Sequence, residues 1–140
     1  MAANSPRILA LDPGKDKCGL AAATWENGQC QILAHRIVRS TQLEEELPQW
    51  LAEYQVEKIV IGDATTSAVW RGRLAALLPN VELATVEEAG STLEARALYW
   101  EANPPRGWRR LLPLSLQAPP EPVDDFAAVV LARRYFAGKN

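Results

Sequence analysis

The sequence predicts one α/β domain, a mixed sheet with helices packed on its faces. Three observations predict it. The chain is 140 residues long, the size of one ordinary domain. Five short apolar or alternating runs read as strands, the first three separated only by turns and the last two by helical patterns. Hairpin-linked strands followed by right-handed βα crossovers build a sheet with both antiparallel and parallel neighbours.

Arg7 to Asp12 is an apolar run bounded by Pro6 and Pro13, the signature of a buried strand. Cys18 to Trp25 and Cys30 to Val38 flank Asn27-Gly28. Both residues of that pair tolerate positive φ, so the segment predicts a tight hairpin with Trp25 opposite Cys30 and Cys18 opposite Ile37. Thr41 to Tyr54 has the period of an amphipathic helix, with Leu43, Leu47, Trp50, Leu51 and Tyr54 on one face. Thr41 and Glu44 have the spacing of a capping box, and Pro48 predicts a kink or a later start. Glu57 to Gly62 reads as a buried strand, and Thr66 to Leu78 as a helix stopped by Pro79. Val81 to Val86 is the last strand, with Glu87 and Glu88 at its end. Ser91 and Glu94 form a second capping-box spacing that opens a helix to about Ala102. The stretch 103–122 holds six of the ten prolines and has no regular period; it predicts a loop, long enough in so small a domain to be functional. Val123 to Phe136 closes the chain as a helix apolar around most of its circumference.

Composition narrows the chemistry. Hydrophobic residues make up 48% and charged residues 23%, the balance of a folded globular protein, and no apolar run is long enough for a membrane helix. The polar start offers no secretory signal, so a cytoplasmic protein without a membrane partner is expected. A net charge of −2 argues against a surface coated in basic charge. Cys18 and Cys30, out of register with one another, predict reduced core thiols rather than a bridge. One histidine excludes a multi-histidine metal site. His35 lies in a strand with no carboxylate near it in sequence, and reads as a strand-surface residue. Carboxylates are the groups left to carry a reaction.

Those carboxylates fall at one edge of the predicted sheet. Asp12 ends the first strand, Glu87 and Glu88 end the last, and Asp124 and Asp125 open the final helix. Strand ends of this kind share the crevice where α/β sheets bind ligands. Singly, each acid has an ordinary explanation: a polar strand end, a solvated charge before a helix, a helix cap. Together, clustered like charges need a cation, and an all-oxygen donor set suits Mg²⁺ or Mn²⁺. One or two such ions can activate water for phosphodiester hydrolysis, so the residues point to a metal-dependent nuclease.

Three segments then carry a family resemblance. Ile8-Leu9-Ala10-Leu11-Asp12-Pro13-Gly14 with Gly19-Leu20-Ala21, Glu88-Ala89-Gly90-Ser91-Thr92-Leu93-Glu94-Ala95-Arg96, and Val123-Asp124-Asp125-Phe126-Ala127-Ala128-Val129 resemble the YqgF/RuvX family, relatives of the RuvC Holliday-junction resolvases. The resemblance spans nearly the whole chain in the right order. It implies a single ribonuclease-H-like domain, five strands in a mixed sheet with helices on both faces. It also implies a nuclease acting on structured nucleic acid, either the ends of precursor ribosomal RNA or branched DNA. Helical period cannot choose between Asp124 and Asp125; by position in the motifs, Asp12, Glu88 and Asp124 match the family's carboxylates. The chain departs from the pattern after the fourth strand, where Gly62-Asp63-Ala64-Thr65-Thr66 replaces the usual Gly-Leu-Pro and the following loop is short. Asp63 stands where RuvC-type resolvases carry an acidic ligand, and is either a further ligand or a polar residue ahead of a helix.

A nuclease must hold a polyanion. Arg106, Trp108, Arg109 and Arg110 combine guanidinium groups with an indole in the proline-rich loop, which suits phosphate contact and base stacking. Lys15, Lys17 and Arg96 are further candidates. Monomer and homodimer both remain open, junction resolution requiring two active sites. Two other readings compete: a noncatalytic ribonuclease-H-like protein binding RNA or a protein partner, and an actin- or sugar-kinase-like ATPase, which normally needs two such domains.

Overall fold

The computed structural model describes residues 6–113 and 124–138, with the side chains of Thr65, Thr66, Trp108 and Arg109 outside that description. Five strands form one sheet: β1 (Arg7–Asp12), β2 (Lys17–Glu26), β3 (Gln29–Arg39), β4 (Lys58–Gly62) and β5 (Glu82–Val86). Their order is β3-β2-β1-β4-β5. β1 pairs antiparallel with β2, and β2 with β3, while β4 lies parallel to both β1 and β5. Four helices complete it: α1 (Leu43–Glu53), α2 (Thr65–Leu77), α3 (Ser91–Ala102) and α4 (Asp124–Gly138). None is long and apolar enough to cross a membrane among the described residues.

Strand alternation sorts the core into two layers. Leu9, Leu11, Leu20, Ala22, Ile59 and Ile61 face α1 and α2, meeting Leu43, Leu47, Trp50, Trp70 and Leu74. Ile8, Ala10, Ala21, Ala23 and Val60 face the other way, onto Ala128, Leu131, Ala132 and Phe136 of α4. The small alanines of β1 and β2 let α4 lie close on the sheet. This is the doubly covered mixed sheet that the sequence predicts.

The hairpin turn forms as predicted, with φ of 54° at Asn27 and 74° at Gly28, and Trp25 opposite Cys30. The register further along differs. A β-bulge places Ala23 opposite Ile32 but Ala22 opposite Ala34, leaving Leu33 as the extra residue. Cys18 therefore faces Val38, not Ile37. Because side chains alternate every residue, the bulge also reverses the faces of β3 beyond it. Both cysteines are free.

Neither capping box forms as predicted. α1 starts at Leu43 after a 3₁₀ turn, Ser40–Gln42, and no side chain caps it. Ser40 Oγ instead donates to the Gly14 carbonyl, 2.9 Å away, and lies 3.3 Å from Cys18 Sγ, tying the β1–β2 turn to the sheet. α3 starts at Ser91 with Gly90 as its cap, at φ 76°. Glu94 turns to Arg134 of α4 instead of back to Ser91. Of the proline-rich stretch, the described part ends in a 3₁₀ turn, Gly107–Leu111; the remainder of the predicted loop, and Val123 at the predicted start of the last helix, lie outside the described residues.

Candidate active site

Asp12 ends β1, the central strand, between two glycines. On one side it pairs with Gly19 of β2. On the other, Leu11 pairs with Ile61, which puts Gly62 next in register beside Asp12. Neither glycine has a side chain, and each vacancy is filled by an acidic residue. A Cβ at Gly19 would overlap the backbone carbonyl of Asp124, and a Cβ at Gly62 would overlap the Glu88 carboxyl group. The first turn of α4 thus rests on one neighbour of Asp12, and the Glu88 side chain lies across the other. Asp12 and Ile8 and Ala10 before it share the α4 face by strand alternation.

The electrostatics record the convergence. Asp12 is pushed up to about 7, first by its burial and then by the charges of Glu88 and Asp124. Asp124 is also raised, again chiefly by burial, with Lys17 opposing the shift and Asp125 adding to it. Glu88 and Asp124, distant in sequence from Asp12 and from each other, therefore both bring their charge to bear on it. Among the described residues, no three Asp, Glu, His or Cys side chains are drawn into a ready-made metal cage.

Glu88 is held by residues that sequence reasoning missed or read otherwise. Ser67 Oγ at the start of α2 donates to Glu88 Oε1 at 2.6 Å. Asp63 Oδ1 accepts from the Glu88 backbone N–H at 3.1 Å. This contact gives Asp63 a defined structural role: its carboxylate fixes the β5–α3 connection at Glu88. Arg134 Nη1 donates to the Glu87 carbonyl at 2.7 Å, anchoring the same connection to α4. Glu87 itself is on the strand-following segment, outside the group that shifts Asp12.

Asp125 takes a different path from Asp124. Its Oδ2 accepts from His35 Nδ1 at 2.7 Å, and its Oδ1 from the Phe126 N–H at 3.1 Å. The histidine read as a plain strand-surface residue thus has a carboxylate partner 90 residues away in sequence. The bulge is the reason. An unbroken strand would turn His35 toward α1 and α2; the extra residue puts it opposite Ala21, on the α4 face.

The cations predicted to contact nucleic acid do not gather in one place. Lys15 and Lys17 are exposed in the β1–β2 turn and at the start of β2, and Lys17 is the one whose charge reaches Asp124. Arg96 is exposed on α3. Arg106 and Arg110 are exposed beyond the far end of α3, about 18 Å along the helix from its start near Glu88. The Trp108 and Arg109 side chains lie outside the described residues.

No family model matches the chain, and no curated protein matches it in sequence. Solved structures do. The fowlpox virus resolvase in complex with Holliday junction DNA matches with a TM-score of 0.64 and 11% identity, over 95% of this chain and 98% of that one. A second structure of the fowlpox virus Holliday junction resolvase gives 0.60 and 13%, over 96% and 99%. Thermus thermophilus RuvC in complex with a Holliday junction substrate gives 0.55 and 16%, over 96% of each chain. At such identities the likeness speaks for the fold. The sheet order, the helices on both faces and these matches together give the chain a ribonuclease-H-like fold, shared with these resolvases.

Proposed function

We propose that the chain is a divalent-metal-dependent nuclease acting on structured nucleic acid, with Asp12, Glu88 and Asp124 as its metal-binding and catalytic residues. The observation that carries this reading is the surround of Asp12: two side-chain-free neighbours, each covered by another acid, and a carboxyl group raised to about 7. Such crowding costs stability with no structural return, and a cation would relieve it. The donor set is all oxygen, which fits Mg²⁺ or Mn²⁺ and suits no softer metal. The carboxylates have to draw inward to share an ion. When bound there, the ion would polarise the scissile phosphate and lower the pKa of a water.

The chain's own groups supply the rest. Ser67 and Asp63 hold Glu88 in place, so that its carboxylate keeps facing Asp12. Lys17 stands beside Asp124 as the cation to meet the phosphate of the strand being cut. Arg106 and Arg110, a helix length away, would meet a more distant part of a branched or folded substrate. The Holliday junctions bound by the fowlpox and Thermus resolvases favour branched DNA as the first substrate to test. The motif resemblance to the YqgF/RuvX family supports ribosomal RNA precursors as the second.

In Mg²⁺ or Mn²⁺, the wild-type chain should cut four-way junction DNA or precursor ribosomal RNA, and Asp12→Asn or Glu88→Gln should slow cleavage by about 10³-fold or more. Equal activity in all three would reject the assigned acids. A wild type that binds RNA and never cuts it would favour the noncatalytic alternative.

A further inference from the structure

Between β3, α3 and α4 lies a cavity of about 350 Å³. That is within the range of sites for small organic ligands, about 300–1,000 Å³. Ile32 and Leu98 give it aliphatic walls, and the rings of His35 and Phe126 stand 5.2 Å apart at 48°. The His35–Asp125 hydrogen bond holds the imidazole, and an edge contact with Tyr99 at 6.0 Å holds the Phe126 ring. Glu101 and Arg133 face the same cavity from α3 and α4. Both are exposed, and neither has an ion pair among the described residues.

We propose that this cavity takes one unpaired guanine base of the nucleic acid held at the acidic site. The proposal rests on the reading above that the chain handles nucleic acid. The walls suit a flat ligand with apolar faces, since every base offers a π-face to an aromatic side chain. One carboxylate and one guanidinium together carry no net charge and present acceptors beside donors, which suits a neutral edge that carries both. Guanine has such an edge: adjacent N1–H and 2-amino donors for the Glu101 carboxylate, with O6 and N7 acceptors for Arg133. No other base presents two neighbouring donors to a single carboxylate. Phe126 lies two residues after Asp124, so the cavity is built in part on the helix that carries that acid.

The test is amide chemical-shift titration of the folded chain with GMP, IMP, AMP and CMP, read at Ile32, Leu98 and Phe126. GMP should bind about tenfold more tightly than IMP, which lacks the 2-amino donor, and Glu101→Gln should erase that difference. Equal shifts from all four nucleotides, or shifts confined to Lys17 where a phosphate would sit, would overturn the proposal. Cleavage assayed in parallel separates the two readings. A chain that selects GMP in this cavity but cuts nothing keeps the pocket and loses the nuclease; one that cuts but does not discriminate keeps the nuclease and loses the pocket.

Discussion

Asp12→Asn should make the folded chain more stable at pH 8 while removing its activity. The direction follows from the shift. In the folded chain the carboxyl keeps its proton up to about 7, against 3.8 ordinarily. Below the lower value both folded and unfolded chains hold the proton, and Asp12 costs nothing. As pH rises from there toward 7, the unfolded chain has released its proton and the folded chain has not. Stability therefore falls across that window, and the full cost stands above it. The shift corresponds to roughly 4 kcal/mol at most, less after allowing for the part of the group that reaches water. Asparagine has no charge to lose. Its midpoint of thermal unfolding should exceed the wild type's by something on the order of 5–10 °C at pH 8 and match it near pH 4. Unfolding curves at the two pH values check this; a variant destabilised equally at both would mean that Asp12 is held by favourable contacts rather than crowded by like charge. A stabilised, inactive variant is the pattern expected when a charge cluster is kept for chemistry.

The second large effect concerns the glycines beside Asp12, and the two should fail in opposite ways. At Gly19→Ala the new methyl group meets the Asp124 carbonyl, which is backbone and cannot rotate aside. α4 would have to lift from the sheet, loosening Ala128, Leu131 and Phe136, at a cost on the order of 3 kcal/mol. At Gly62→Ala the atoms nearest the methyl group belong to the flexible Glu88 side chain. Glu88 swings away, giving up its bond to Ser67 and its place beside Asp12, for less than about 1 kcal/mol of stability. Gly62→Ala should thus fold normally, lower the Asp12 pKa and lose about 10²-fold or more in cleavage. Unfolding midpoints and cleavage rates, measured on both variants, separate them. Two variants alike in stability and activity would mean that the glycines do not set the spacing of the acids.

Much of this arrangement is legible in the sequence, because it depends on local patterns. The five strands follow from alternation and from their Pro and Gly boundaries, and the Asn27-Gly28 turn from its need for positive φ. Asp12, the Glu87-Glu88 pair and the Asp124-Asp125 pair stand out because strand ends and helix starts meet at one edge of such a sheet, and the motif resemblance is what singles out Glu88 and Asp124. What is hidden depends on tertiary fit. The bulge at Leu33 leaves no sequence signal, since Ile32, Leu33 and Ala34 are all apolar and alternation there is mute; yet it alone sends His35 to Asp125. The Ser91 and Glu94 spacing is a sound capping pattern, but Arg134 of α4 offers Glu94 a charged partner and wins. Gly19 and Gly62 read as strand glycines, and their meaning appears only when α4 and Glu88 are seen lying on them. A signal that could have helped is their position: Gly62 ends a strongly apolar strand segment and Gly19 opens one, and glycine weakens a strand unless something approaches closely.

The central claim is that Asp12, Glu88 and Asp124 jointly hold a divalent ion. Calorimetric titration of the folded chain with Mn²⁺ at pH 8 measures it most directly. The account predicts saturable binding of one or two ions by the wild type, weakened at least about tenfold in each of Asp12→Asn, Glu88→Gln and Asp124→Asn. Binding that is unchanged in all three variants, or absent from the wild type, would contradict it.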